Sequence, residues 1–153
     1  MYLSNKNVLF SIKQMRYQQQ QQQQVAAQQQ QQFPNPLINA VRRNHVGLIK
    51  RLLSNGADAK ATNNDGETAL MFAARKGDNN MVEILLPKSD AKAVSNSGYT
   101  ALMLAAKYGN IKMVERLLPK SDPKATNWRR ETAFDLAKKY HRYQIVRLLQ
   151  KHI

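Results

Sequence analysis

At 153 residues and without a cysteine, the chain has the length of one domain and can draw stability from neither disulfides nor a cysteine-built zinc site. No apolar run approaches the roughly 18–20 residues that a membrane-spanning helix needs. The formal charge of +14 divides unevenly: Lys6, Lys13 and Arg16 stand without an acid in 1–32, while 33–153 carries 21 cations against 10 acids, an excess of +11 that points to an acidic partner or surface.

Residues 1–17 are mildly apolar and acid-free, as mitochondrial presequences are, but one arginine and two serines make a poor match. A secretory signal fits less well, because the apolar part from Val8 to Ile12 is short and a polar tract follows it. That tract is seven glutamines at 18–24, then Val25-Ala26-Ala27, then five more glutamines at 28–32. Glutamine amides can ladder in β-aggregates, and glutamine is also a fair helix former, yet neither state supplies an apolar face for a core. A disordered or weakly helical tail is expected over 1–32. It is either a self-association or partner-binding segment or a tolerated tract with no task. Phe33-Pro34-Asn35-Pro36 closes it, with prolines that disfavour helix before them and preset one after Pro36.

From there the chain repeats itself. TALMFAARKGDNNMVEILLPKSD from Thr68 returns 32 residues later as TALMLAAKYGNIKMVERLLPKSD from Thr100, and again, weakened, from Thr132. A fourth copy starts upstream at Asn35. Such a period with two apolar clusters per unit predicts stacked helical hairpins, each burying its apolar face on its neighbours. The units span about 33–63, 64–95, 96–127 and 128–153. In the first, Asn35 is a good N-cap for a helix over 36–43; Asn44 takes the left-handed turn held later by Gly77 and Gly109, and a second helix runs over 45–53. Thr68 and Thr100 cap the first helices of units two and three. Leu70, Ala73, Ala74, Leu102, Ala105 and Ala106 face inward, as do Met81, Val82, Leu85, Leu86, Met113, Val114, Leu117 and Leu118 on the second helices. Pro87 and Pro119 stop those helices. In the last unit, Lys138 replaces the second inward alanine and His141 the glycine, consistent with a wettable outer face. Ile153 follows the Leu148-Leu149 pair, so caps are expected at both ends of the stack.

The pattern D/N-G-x-T-A-L-x-x-A-A-x-x-G-x-x-x-x-V-x-x-L-L resembles the ankyrin repeat, and Asn55-Gly56-Ala57-Asp58-Ala59 resembles that family's loop after the second helix. The resemblance covers 33–153. It implies an all-α solenoid of helix-turn-helix units with short hairpin loops, used as a protein-binding scaffold. Two departures stand out. The histidine often found three residues after the capping threonine is missing, with Met71, Met103 and Asp135 in its place, so fewer polar bonds between units are expected. Arg130 stands where Gly66 and Gly98 turn the earlier tips, so the last hairpin is expected to be open or irregular.

No catalytic set is visible. His45, His141 and His152 have no nucleophile motif beside them, there is no phosphate-binding glycine loop or metal-ligand spacing, and no cofactor is expected. His45 fits loop packing. The resemblance places hairpin tips and first-helix ends on a concave face. There Arg42 and Arg43, Arg75 and Lys76, Lys107 and Tyr108, and Lys139 and Tyr140 recur as a basic column with aromatics at one end. The tips add Asn64, Asp65, Glu67, Asn96, Ser97, Tyr99, Trp128, Arg129 and Glu131. Arginine, tyrosine and tryptophan often dominate interface energy. A cytoplasmic or nuclear, monomeric domain that binds another protein, an acidic segment included, is one expectation; nucleic acid or an anionic membrane on the basic face is the alternative.

Overall fold

A computed structural model describes residues 2–32 and 35–153, which divide into two compact units, 1–34 and 35–153. The break expected at Phe33 and Pro34 lies outside the described residues. In the first unit, α1 (Tyr2–Gln32) is one continuous helix. It contains neither glycine nor proline, and its glutamines favour helix, so nothing interrupts the backbone. Val8, Leu9, Phe10 and Met15 remain more than half exposed along it. No described helix is long and apolar enough to cross a membrane.

The second unit is a stack of four hairpins: α2 (Pro36–Arg42) with α3 (Val46–Ser54), α4 (Ala69–Lys76) with α5 (Asn79–Leu85), α6 (Ala101–Tyr108) with α7 (Ile111–Leu117), and α8 (Ala133–Lys139) with α9 (Tyr143–Gln150). Among the described residues the only β feature is a bridge between Thr62 and Thr68. The first helices α2, α4, α6 and α8 pack on one another in sequence. The alanines permit this close approach: Ala73, Ala74, Ala105, Ala106 and Ala137 are fully buried. Met81, Val82, Leu85, Met113, Val114, Leu117, Ile145 and Leu149 close the core from the second helices. Leu86 and Leu118 are only half-buried, because each opens a short 3₁₀ turn, Leu86–Lys88 and Leu118–Lys120, that contains the proline. The α-helix therefore ends two residues before each proline, where the chain is already tightening.

The helix starts follow the capping chemistry. The Asn35 side chain accepts from Leu37 N (2.9 Å) and Ile38 N (3.2 Å), Thr68 Oγ1 from Met71 N (3.3 Å) and Thr100 Oγ1 from Met103 N (3.2 Å). Thr132 and Asp135 complete a reciprocal cap on α8. Asn44 takes the left-handed turn at φ 61° and His141 at φ 57°. His45 does not pack a loop: its side chain is exposed and makes no cap bond at α3.

A further sequence expectation is overturned. The last hairpin is closed and regular. Arg130 adopts φ 62°, its N–H donates to Asn127 O (2.9 Å), and Asn127 N donates to Glu131 O (3.0 Å), matching the Gly66 and Asn63 bonds of unit two. Asparagine makes this possible. Asn127 Oδ1 accepts from Arg129 N (2.9 Å) and Glu131 N (3.0 Å), so the turn is held before the φ > 0 residue is reached. Other side chains make polar bonds between units. Asn110 Nδ2 donates to Ala74 O (3.0 Å), Lys88 Nζ to Leu53 O (3.2 Å), Arg142 Nε to Lys107 O (3.2 Å), and Lys76 Nζ to Arg42 O. Each is a long or polar side chain reaching one unit back to a backbone carbonyl.

Candidate functional site

The hairpin tips are joined edge to edge. Asn96 N donates to Asp65 O (2.9 Å), Asn96 Nδ2 to Asn64 O (2.9 Å), and Trp128 N to Ser97 O (3.2 Å). Tips two, three and four thus form one continuous rim. Inside each tip an amide or hydroxyl five residues before the capping threonine holds the loop: Asn63, Ser95 and Asn127. Sequence reasoning passed over these three positions, although their 32-residue recurrence was visible.

Below the rim the inner helices contribute cations, and each is engaged differently. Arg75 pairs with Glu67 and lies over the Phe72 ring (5.3 Å), with Arg42 on the same ring at 5.9 Å. Lys139 Nζ pairs with Glu131 at 2.7 Å. The Glu131 carboxyl is held below its usual range, first by the Asn127 amide and then by Lys139, whose own ammonium is held above its usual range by the same bond. Among the described residues no carboxylate forms an ion pair with Lys107. Its ammonium lies over three ring faces: Tyr140 at 5.3 Å, and Tyr99 and Tyr108 at 5.6 Å each. Arg43 is exposed at the end of α2, and Arg129 stacks on Trp128 at 4.6 Å. The column of like charges read from the sequence is therefore interrupted. Units two and four neutralise their inner cation; unit three does not.

An open cleft of about 420 Å³ lies on this face. It brings together Asp65, Glu67, Arg75, Asn96, Ser97, Tyr99, Lys107, Tyr108 and Trp128 from among the sequence candidates, and adds Ser95 and Leu104. Arg42, Arg43, Asn64, Lys76, Arg129, Glu131, Lys139 and Tyr140 do not line it. Trp128 is 66% exposed at its mouth. Phe72 and Phe134, the aromatic platforms under Arg75 and Lys138, were not among the sequence candidates. Among the described residues no group of three or more His, Asp or Glu side chains could hold a metal ion.

Comparison with known proteins agrees with this architecture. A family model described as ankyrin repeats, in three copies, matches residues 5–97, 37–127 and 78–153. A human protein named mitochondrial disaggregase is 46% identical over 50 residues, which is 33% of this chain and 7% of that protein. Ankyrin repeats generally mediate protein–protein interaction and are typically non-enzymatic modules. With repeat matches that together run through all four hairpins, the chain belongs to the ankyrin-repeat family.

Proposed function

We propose that this chain is a non-enzymatic interaction module that binds a partner protein through the concave face and hairpin tips, as a monomer in the cytoplasm or nucleus. The observation that carries this is the cleft itself: an exposed tryptophan, two tyrosines and a lysine in no ion pair among the described residues converge on a rim fixed by backbone bonds. Aromatic anchors on a rigid frame lose little conformational entropy on binding and supply most of the energy of typical interfaces.

The test is quantitative affinity capture with the full chain against a Tyr108→Ala/Trp128→Ala variant of equal helix content. Loss of a defined set of captured proteins supports the proposal; the same proteins at the same level overturn it. The net charge of +14 favours a second reading, nucleic acid or anionic membrane on the basic face. Binding to duplex DNA or RNA that falls steeply with salt and vanishes on substitution of Arg42, Arg75 and Lys107 would support that one instead.

A further inference from the structure

A couple recurs along the tips. The residue before each capping threonine meets the inner-helix cation eight positions on: Glu67 with Arg75, Tyr99 with Lys107, Glu131 with Lys139. In units two and four the couple is an ion pair. In unit three a tyrosine stands where its neighbours have glutamate. Lys107 is therefore left with full charge, half-buried, and restrained by three ring faces at 5.3–5.6 Å. Ring faces attract an ammonium without neutralising it. A restrained, partly desolvated cation loses little rotamer entropy on pairing and interacts more strongly than one in bulk water.

We propose, resting on the concave-face reading above, that this cleft takes a short peptide segment with one carboxylate side chain, seated on the Lys107 ammonium, beside an aromatic or aliphatic residue lying on the Trp128 indole. The acids of the cleft set the charge pattern: Asp65 is exposed and lines it together with Glu67, which is paired with Arg75. A continuous polyanion would bring a second negative group against these carboxylates, whereas an isolated Asp or Glu would not.

Trp128 is the single tryptophan, so its emission reports occupancy of the cleft directly. The experiment pans a display library of random 12-residue peptides on the full chain. Enriched peptides are synthesised with their acidic residue intact or changed to the matching amide, and titrated against the parent, Lys107→Met, Lys107→Arg, Tyr99→Glu and Trp128→Ala. Enrichment of an Asp or Glu next to an aromatic or aliphatic residue is expected, with Trp128 emission shifting on binding. Neutralising that acid weakens binding to the parent about tenfold. Lys107→Met and Tyr99→Glu cost the acidic peptide a similar factor and leave the amide peptide unchanged, while Lys107→Arg retains binding. Peptides that shift Trp128 but bind Lys107→Met and Tyr99→Glu as tightly as the parent overturn the carboxylate assignment and leave the concave face standing. Peptides indifferent to every one of these substitutions, Trp128→Ala included, overturn both. Enrichment confined to peptides without an acid also overturns the assignment.

Discussion

Gly98→Ala separates the two tasks a tip glycine performs. At Gly98 the backbone has φ +78°, and an added Cβ would lie 2.8 Å from Asn127 Cα and 2.9 Å from Trp128 N. Both are backbone atoms of the next tip, so no side chain can swing aside. Gly56 has φ +86° but nothing within 4 Å of its Cβ position. Gly56→Ala therefore measures left-handed strain alone, about 1–2 kcal/mol. Gly98→Ala adds displacement of the following hairpin and rupture of the 3.2 Å bond from Trp128 N to Ser97 O, at least about 1 kcal/mol more. We expect losses of about 1–2 and about 2–4 kcal/mol respectively. The assay is urea unfolding of the full chain by circular dichroism and Trp128 emission, where a 2 kcal/mol loss moves the midpoint by roughly 1 M. A Gly98→Ala midpoint no lower than that of Gly56→Ala would refute the claim that the tips press on one another.

Leu117 is fully buried between units, so Leu117→Ala should cost about 2–5 kcal/mol in the same urea assay. Asn127→Ala should cost about 1–3 kcal/mol, because Arg129 N and Glu131 N lose their acceptor in a part-buried turn and Glu131 loses the Asn127 amide donor. The Glu131 carboxyl is depressed in the fold. Its stabilisation is present above the unfolded carboxyl pKa of about 4.3 and is lost as pH falls through the lower folded value, so Glu131→Gln should lose less melting temperature than the parent between about pH 5 and 3. The raised Lys139 ammonium acts at the other limb: its contribution is present below about pH 10.4 and is lost as pH rises through the folded value, which melting curves of Lys139→Met in that range would show.

Much of the fold was legible because each unit restates it. Thr68, Thr100, the alanine pairs and Gly77 and Gly109 recur at fixed distance, and each reports a local requirement: a cap, a close approach, a left-handed turn. What stayed hidden depends on partners remote in sequence. Arg130 looked unable to turn a hairpin because the amide that holds the loop, Asn127, lies three residues away and earlier tips use Ser95 or Asn63 there. Asn110, Lys88 and Arg142 reach carbonyls 35 or 36 positions back, a reach that spacing within one unit does not report. The basic column was visible as spacing, but its interruption was not. Whether Lys107 meets a carboxylate or tyrosine faces is decided by Tyr99, eight residues upstream on another element.

The most direct measurement of the central claim places a photo-crosslinking amino acid, p-benzoylphenylalanine, at Tyr108 on the inner-helix face and, separately, at the exposed Lys112 on α7, in the full chain inside cells. A partner held by the concave face should give a discrete adduct from position 108 that is weak or absent from position 112. Equal adducts from both, or an adduct from 112 alone, would contradict it.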